Sequence, residues 1–513
     1  MAYINIPSLN YNNLSFSFVF KKDHNDDGDK IFISHSLNHY LSNIKQQIDQ
    51  YNNYWDYYKK ITNPYEFIHT QVPDIKMSIC KYKPLSRSFF KMIEIINTFS
   101  FLTEKNNIKC FHLAEGPGGF IEAFNYKRNN KNDLYYGMTL ISDDINIPSW
   151  KKSSHFINNN KNVIIEYGSS NTGDLFLKEN LLYCYEKYAN SMNYITADGG
   201  FDFSVDFNQQ EELSMKLIVA QIFFAIIMQK EGGNFVLKIF DIFKFKTVEI
   251  IFLLANLYDY VYIYKPYTSR VANSEKYIVC KNYKNSNPTI VNEIINNFDY
   301  ILDNINTINS FFNITLPKLF LKKIEEINAI YGQQQIENIN TTLNLIREYI
   351  NIKYTNYITS DESDVDDNEN IKDYYLNDIC SISIPIQKSP TIPTENSQDT
   401  ELVNDLFKLD TANNSYTSPI LNPQTKFSFI NSNEFELNNS IVDVSNENNE
   451  KISSKNKEEE ILYTKVQLSK INFSSNSEKF NNKLSSIKTV NIQKSVNWCN
   501  KYNFTMNKQF LNI

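Results

Sequence analysis

The stretch that decides the fold is FHLAEGPGGFIEAF, residues 111–124. The chain has only 12 glycines in 513 residues, yet Gly116, Gly118 and Gly119 lie within four positions here. Glycines directly after a strand let the backbone turn tightly and approach a ligand, at the strand end where doubly wound folds bind cofactors. The spacing is neither GxGxxG nor a Walker loop, so it favours neither a dinucleotide nor a nucleoside triphosphate. Taken alone, the glycines are equally consistent with a structural turn.

The chain around this stretch alternates short apolar runs with helical patterns from residue 85 to about residue 283. Seven runs are predicted to be strands: CFHLAE, DLYYGMTL, NVIIEYG, NYITADGG, NFVLKIFD, YVYIYKP and KYIVCKNY. This alternation predicts an α/β fold with a seven-stranded, mostly parallel sheet and helices on both faces. The last two runs leave no room for a helix between them, so we expect an antiparallel last strand.

Composition divides the rest of the chain. Residues 1–80 are rich in Asn and Tyr and are predicted to be an N-terminal helical extension of a domain at 81–285. Residues 286–354 are predicted to be a C-terminal helical extension. Residues 355–513 are polar, acidic and rich in Asn and Ser, which predicts a mostly disordered tail. The acidic run at 361–369 is a candidate site for a protein partner, although solvated disorder is the simpler interpretation.

Charge and cysteine content limit the class of protein. The formal net charge is −7, so a nucleic-acid partner would need a local basic patch. Six scattered cysteines without a CxxC pair indicate reduced thiols in an intracellular protein. The most apolar segment, 217–229, is shorter than the roughly 20 residues that span a bilayer, so we expect a buried helix and no membrane association. The six histidines form no set with the cysteines that predicts a metal site.

Four further segments accompany the glycine motif: SRSFFKMIEI with Lys91, ADGGFD with Asp198, GGNFVLKIFD with Lys238 and NSEKYIVCKNY with Glu275. Together with AEGPGGF they resemble the FtsJ-like (RrmJ-type) RNA 2'-O-ribose methyltransferases, whose motif is a Lys-Asp-Lys-Glu tetrad. The resemblance covers residues 82–283. YYGMTL, NTGDLF and SRVANSEKYIVCK are most similar to the cap-specific mRNA branch of eukaryotes and viruses.

The resemblance implies a Rossmann-like S-adenosylmethionine-dependent methyltransferase fold and a catalytic tetrad of Lys91, Asp198, Lys238 and Glu275. Lys238 would draw the proton from a ribose hydroxyl. Burial and the nearby charge of Lys91 would lower its pKa enough for that role. The two carboxylates would fix the ammonium groups in place. The alternative is a pair of ordinary buried salt bridges.

The resemblance also implies S-adenosyl-L-methionine as the cofactor. The candidate contacts are Glu115, Gly116, Pro117, Gly118, Gly119, Phe120, Asp174 and Asp198, with either Asp143 or Asp144 after the second strand. Two of these have alternative interpretations. Asp174 is also placed to be the N-cap of the following helix. Glu115 would either orient the glycine loop or contact the amino group of the cofactor.

RNA would require cations at the edge of the site. Lys83, Arg87, Lys265 and Arg270 flank the tetrad segments and are the candidate RNA-binding residues, with solvated surface charge as the alternative. The leading hypothesis is methylation of the first transcribed nucleotide of capped mRNA. The alternatives are the same chemistry on ribosomal or transfer RNA, or a catalytically silent RNA-binding subunit. The biased composition and the cap-branch motifs suggest a large DNA virus, acting in the host cytoplasm or packaged in the virion.

Overall fold

The computed structural model describes residues 3–9, 14–20, 31–142, 144, 147–200, 207–284, 288–360 and 454–511. The chain divides into two units, Met1–Ser363 with Ser469–Ile513, and Asp364–Leu468. The sheet and the candidate site lie in the first unit. Among the described helices, none combines the length and the apolar character needed to cross a membrane.

Ten strands occur in the described residues: β1 (Ile4–Ile6), β2 (Val19–Phe20), β3 (Lys109–Leu113), β4 (Leu134–Met138), β5 (Val163–Glu166), β6 (Met192–Ala197), β7 (Gln229–Ile239), β8 (Tyr258–Tyr264), β9 (Lys276–Tyr283) and β10 (Ile308–Ser310). The α-helices described are α1 (His35–Gln46), α2 (Asn52–Thr62), α3 (Ser88–Thr98), α4 (Gly119–Arg128), α5 (Ser154–Asn159), α6 (Lys178–Tyr188), α7 (Gln210–Met228), α8 (Phe245–Leu257), α9 (Pro288–Asp303), α10 (Lys318–Ser360) and α11 (Ser454–Lys501). Short 3-10 helices lie at Asp49–Tyr51, Glu66–Ile68, Trp150–Ser153, Phe207–Gln209 and Lys508–Phe510.

Eight strands form one sheet in the order β1-β8-β9-β7-β6-β3-β4-β5. The strands β3 to β7 run parallel to one another, and β9 is antiparallel to both β7 and β8. This confirms the predicted α/β fold, its seven strands and its antiparallel last strand. The eighth strand is β1, which pairs with β8 so that Ile4 lies opposite Ile263. The N-terminal segment is therefore not purely helical, because this three-residue strand completes the edge of the sheet.

Strand register brings the ends of the central strands to one edge. Leu113 at the end of β3 pairs with Ala197 at the end of β6, and Ala197 pairs with Leu237 of β7. From β3 the chain continues to β4 on one side, while β6 lies on the other side. This reversal of strand order is the point where open α/β sheets bind ligands, beyond the carboxyl ends of the strands.

The apolar segment 217–229 forms most of α7, and nearly all of that helix is buried. A helix that is apolar on all sides belongs in a protein interior when it is too short to span a bilayer. The prediction of a buried helix is therefore confirmed. On the other face of the sheet, α3 and α4 pack together in a second apolar cluster, which contains Phe89, Phe90 and Phe120.

Residues 476–511, here called the C-terminal segment, are ordered, whereas the sequence predicts a mostly disordered tail from residue 355 onward. They are helix followed by an ordered turn, and Trp498, Phe504 and Phe510 are buried in the cluster around α3. The prediction of a mostly disordered tail is wrong for this segment, because a few aromatic residues supply enough burial despite the polar average composition. Residues 361–453, with the acidic run, lie outside the described residues.

We expect this segment to contribute strongly to stability. Phe510→Ala should lower the free energy of unfolding by about 3 kcal/mol, because the Phe510 side chain is fully buried and truncation leaves a cavity. The adjacent Leu511 is 57% exposed. Leu511→Ala is the matched control and should change stability by less than about 0.5 kcal/mol. Thermal melting of the two full-length variants makes the comparison, and equal melting temperatures would contradict the packing.

Candidate active site

The glycine loop, residues 115–120, follows β3 directly and leads into α4. Gly118 has a φ of +107° and is the residue before the helix, a conformation that other residues adopt only with strain. The carboxylate oxygen Oε1 of Glu115 accepts hydrogen bonds from the backbone N–H groups of Phe120 at 2.6 Å and Ile121 at 3.2 Å. Glu115 therefore satisfies two of the free donors at the start of α4 and fixes the loop against it.

The other loop residues make local contacts. The carbonyl of Pro117 accepts a hydrogen bond from the Ser153 hydroxyl, and Gly119 lies against the side chains of Ser86 and Ser88. Gly116 lies against the carbonyl of Pro148. These contacts hold the loop between the segment before α3 and the segment after β4, so its backbone is shaped before any ligand binds.

The second oxygen of Glu115 distinguishes a ligand site from a simple turn. Glu115 is 4% exposed, and within the described part of the chain its Oε2 atom has no hydrogen-bond partner. Burial, and after it the negative charge of Asp198, raise the pKa of Glu115 well above its ordinary value. An ammonium group placed at Oε2 would offset both effects. The loop therefore fits a ligand that carries a cationic amino group, such as the methionine end of S-adenosylmethionine.

The four tetrad residues converge in two ion pairs. Lys91 of α3 contacts both carboxylate oxygens of Glu275, at 2.7 and 2.8 Å. Lys238 of β7 donates to the main-chain carbonyl of Asp198 at 2.7 Å, and its Nζ lies 3.5 Å from Oδ1 of the same residue. Gly200 permits this approach, since a Cβ atom there would lie 2.9 Å from Nζ of Lys238. The predicted tetrad is thus assembled at the carboxyl edge of the sheet.

Tyr277 joins the two pairs and was missed in the sequence. Its hydroxyl donates to Oδ1 of Asp198 at 2.8 Å, and Nζ of Lys91 lies 5.9 Å from the centre of its ring. Tyr277 lies opposite Lys238 in the β7–β9 ladder. Because alternate residues of a strand point to the same face, its position two residues after Glu275 was the available signal.

Burial and the neighbouring charges together set the pKa values of Lys91 and Glu275. Burial lowers the pKa of Lys91, although Glu275 opposes the effect. For Glu275 burial alone would raise the pKa, but Lys91, and after it Lys238, hold the pKa well below its ordinary range. The carboxylate is therefore ionised at neutral pH and depends on the two lysines for its stability.

Asp174 and Asp144 make local hydrogen bonds in the segments that follow β5 and β4. Asp174 follows β5, and its Oδ1 accepts from the backbone N–H of Phe176 at 2.8 Å. Helix α6 begins later, at Lys178 after Leu177, so the alternative of Asp174 as its N-cap is wrong. Asp144 is described and its N–H donates to the Ser142 hydroxyl, whereas Asp143 lies outside the described residues.

The predicted basic surface patch does not form as expected. Lys265 is 3% exposed, so it is unable to meet a phosphate at the surface. Arg270 forms a bidentate pair with the buried Glu66, at 3.0 and 2.6 Å. Arg87 is half-buried and donates to the main-chain carbonyl of Thr268 at 2.9 Å. Lys83 is exposed, and its Nζ contacts the Ser78 hydroxyl. A sequence shows where the cations are, but these contacts between distant segments are visible only in the fold.

Lys265 instead ties together the β8–β9 loop, residues 265–275. Its Nζ donates to the main-chain carbonyls of Asn273 and, at 2.9 Å, of Glu275. Burial, and after it the charge of Lys276, lower the pKa of Lys265 to about 7. Lys265 therefore supports the backbone that presents Glu275 and does not form part of an exposed RNA-binding surface.

The part of the chain that contains this site is similar to known proteins. Residues 84–283 match the FtsJ-like methyltransferase family. The cap-specific mRNA (nucleoside-2'-O-)-methyltransferase 2 of Danio rerio is 29% identical over 60% of this chain and 43% of its own length. An inactive cap-specific mRNA (nucleoside-2'-O-)-methyltransferase 1B of Caenorhabditis briggsae is 30% identical over 44% of this chain and 28% of its own. The probable methyltransferase EP424R of African swine fever virus is 27% identical over 52% of this chain and 65% of its own. The chain thus spans less than half of the first two relatives.

We expect Lys91→Met to lower the free energy of unfolding by about 3–5 kcal/mol, because it leaves Glu275 buried without its main cation. Adding Glu275→Gln should restore most of that loss, since a neutral amide needs no counter-charge. Lys483 and Glu348 form a surface pair of the same 2.7 Å length, and Lys483→Met is the matched control. It should cost less than about 1 kcal/mol. Denaturant unfolding at pH 7 measures all three, and a double variant no more stable than Lys91→Met would contradict the interpretation.

A second prediction concerns pH. An unfolded chain keeps Lys265 protonated up to its ordinary pKa of 10.5, whereas the folded chain releases that proton at about 7. Between these values the unfolded state binds more protons, so this residue makes the folded protein more stable as pH rises. The stability of wild type relative to Lys265→Met should therefore grow from pH 7 to pH 9, by at most about 1.4 kcal/mol per pH unit. Melting curves at several pH values test this, with Lys322→Met as the exposed control. A constant difference between wild type and Lys265→Met would refute it.

Proposed function

We propose that this protein, whose residues 84–283 form an FtsJ-like methyltransferase domain, is an S-adenosyl-L-methionine-dependent RNA ribose-2'-O-methyltransferase that acts on 5'-capped mRNA. The observation that carries the proposal is the convergence of Lys91, Glu275, Lys238 and Asp198 in two ion pairs beside a glycine loop. The names of the relatives support capped mRNA as the RNA class.

The glycine loop and its neighbours are the proposed cofactor contacts. Bound S-adenosyl-L-methionine supplies an electrophilic methyl group for direct displacement. The backbone of residues 115–120 would hold its methionine end, and Oε2 of Glu115 would accept from its amino group. Asp174, in the segment after β5, would contact the nucleoside part. Asp198 is a member of the tetrad, and its charge also acts on Glu115 of the loop, so it would connect the cofactor site to the reacting centre.

The tetrad has to orient a ribose hydroxyl and remove its proton, since a hydroxyl is a weak nucleophile before deprotonation. We assign proton removal to Lys238 in its neutral amine form, after its own proton has left to solvent, because its nitrogen is fixed by one carbonyl and one carboxylate of the same residue, Asp198. Tyr277 holds that carboxylate in place through its hydroxyl. Both oxygens of Glu275 bind Lys91 and neutralise its charge. We therefore assign Lys91 a structural role, in which it lines the site at a fixed position.

A second candidate function is an RNA-binding subunit without catalytic activity. The relative from Caenorhabditis briggsae that is named inactive is as similar to this chain as relatives named as enzymes. Overall similarity therefore does not distinguish the two functions. The assembled tetrad favours the enzyme, since RNA binding alone gives no reason to bury two lysines against two carboxylates beside a ligand loop.

The test is a methyl-transfer assay with the full chain, labelled S-adenosylmethionine and three matched RNAs: capped with N7-methylguanosine, capped without that methyl group, and uncapped with a triphosphate. We expect label at the ribose of the first transcribed nucleotide of capped RNA. Lys238→Ala should lower the rate by about 100-fold or more, because it removes the group that accepts the proton. Cofactor binding should change little, and Lys322→Ala is the exposed lysine control.

Other results would redirect the proposal. Label in uncapped or structured RNA would indicate that the same reaction acts on ribosomal or transfer RNA. Cofactor binding without methyl transfer to any RNA would favour the silent subunit. Equal rates for wild type and Lys238→Ala would show that Lys238 has no part in the reaction.

A further inference from the structure

The C-terminal segment packs on the helix that carries Lys91. Trp498 is 3% exposed, and its ring meets the Phe90 ring edge-on at 5.5 Å and stacks on Phe504 at 5.6 Å. Two backbone hydrogen bonds add to this contact: the Lys81 N–H donates to the Thr505 carbonyl at 2.9 Å, and the Asn507 N–H donates to the Ile79 carbonyl at 3.0 Å. The segment is therefore joined to the chain immediately before α3 as well as to α3 itself.

Glu94 of α3 connects this segment to the candidate site. Its carboxylate is fully buried and accepts four hydrogen bonds. Oε1 accepts from Nε1 of Trp498 at 3.0 Å and from the N–H of Thr268 at 2.8 Å. Oε2 accepts from the N–H of Tyr267 at 2.7 Å and from the hydroxyl of Tyr264 at 3.1 Å. One carboxylate thus joins α3, the end of β8, the β8–β9 loop and the C-terminal segment.

Both members of one ion pair are attached to these elements. Lys91 lies three residues before Glu94, on the adjacent turn of α3, and Glu275 closes the β8–β9 loop that Glu94 holds at Tyr267 and Thr268. Within the described residues, Trp498 is the one donor to Glu94 that lies outside the FtsJ-like domain.

We propose that the C-terminal segment is a brace required for methyl transfer, in which Trp498 acts as a positioning residue through Glu94 on Lys91 and Glu275. The inference rests on the proposed function. Its physical basis is that a buried carboxylate with all its acceptor positions filled holds its donors in fixed places. Removing one donor leaves a buried acceptor unsatisfied, so the neighbouring elements shift to compensate. Small displacements of catalytic groups have large effects on rate.

The first comparison is Trp498→Phe against wild type in the full chain, because phenylalanine keeps most of the ring packing and lacks the N–H donor. We expect kcat, counted per cofactor-binding site, to fall by about tenfold or more. The dissociation constant of S-adenosylmethionine should stay within about twofold, because the proposed effect of Trp498 acts on Lys91 and Glu275 and not on the glycine loop. Asn497→Ala, at the exposed neighbouring position, is the control and should change neither quantity. A normal kcat per site in Trp498→Phe would overturn the proposal.

The second comparison asks whether Trp498 acts through Glu94. Glu94→Gln keeps the shape of the side chain and removes its charge and one acceptor. If the proposal holds, the double variant Glu94→Gln, Trp498→Phe has the same kcat per site as Glu94→Gln alone, since the path is already broken. If the two losses multiply, Trp498 acts by another route and the proposal fails.

Hydrogen exchange provides a readout that needs no methyl transfer. In Trp498→Phe the amides of Tyr267 and Thr268 should exchange faster than in wild type, because their shared acceptor loses its anchor. Asn497→Ala should leave both exchange rates unchanged. If wild type methylated no RNA, the proposed function would fail, while the exchange rates would still decide whether the segment holds the β8–β9 loop. Unchanged exchange at both amides would overturn the brace.

Discussion

Pairing of buried charge is the constraint on which the rest of the structure depends. Lys91 and Glu275 are both removed from water, and neither would tolerate that environment without the other. They come from α3 and from the β8–β9 loop, far apart in the chain, so the pair fixes the distance between a helix and a loop on one side of the sheet. The second pair, Lys238 with Asp198, does the same for β7 and the end of β6.

Further contacts hold the β8–β9 loop, which carries Glu275. The β8–β9 loop is held by three ionisable side chains outside the tetrad: Glu94 accepts from its amides, Lys265 donates to its carbonyls, and Glu66 binds its Arg270. Glu94 and Glu66 reach the loop from distant segments, whereas Lys265 is the first residue of the loop itself. A loop with many exposed backbone groups would otherwise move, and Glu275 would move with it. These buried groups are therefore supports that fix the position of one carboxylate of the tetrad.

The sequence predicted the tetrad residues themselves but not the surrounding residues that support them. The tetrad was visible because each member stands in a local motif that resembles the FtsJ-like family. Asp198, Lys238 and Glu275 lie at or beside strand ends, which strand order brings together, and Lys91 lies on α3. Lys265 was misassigned to the surface because a sequence gives the charge of a side chain and not its burial. The C-terminal segment was misassigned because composition averages over many polar residues and hides Trp498, Phe504 and Phe510. The strand β1 was missed because three residues are too few to establish a period.

The folded unit that holds the tetrad is larger than the segment that matches the family. The match to the FtsJ-like family begins at residue 84 and ends at residue 283, and it contains every member of the tetrad. The supports of that tetrad extend further, since Ile4–Ile6 closes one edge of the sheet and Trp498 reaches Glu94 from the far end of the chain. A fragment that ended at residue 354 would keep all the reacting groups and would expose Phe90 and its neighbours on α3. The tetrad residues lie within one continuous family match in the sequence, whereas the folded unit that positions them is assembled from both ends of the chain.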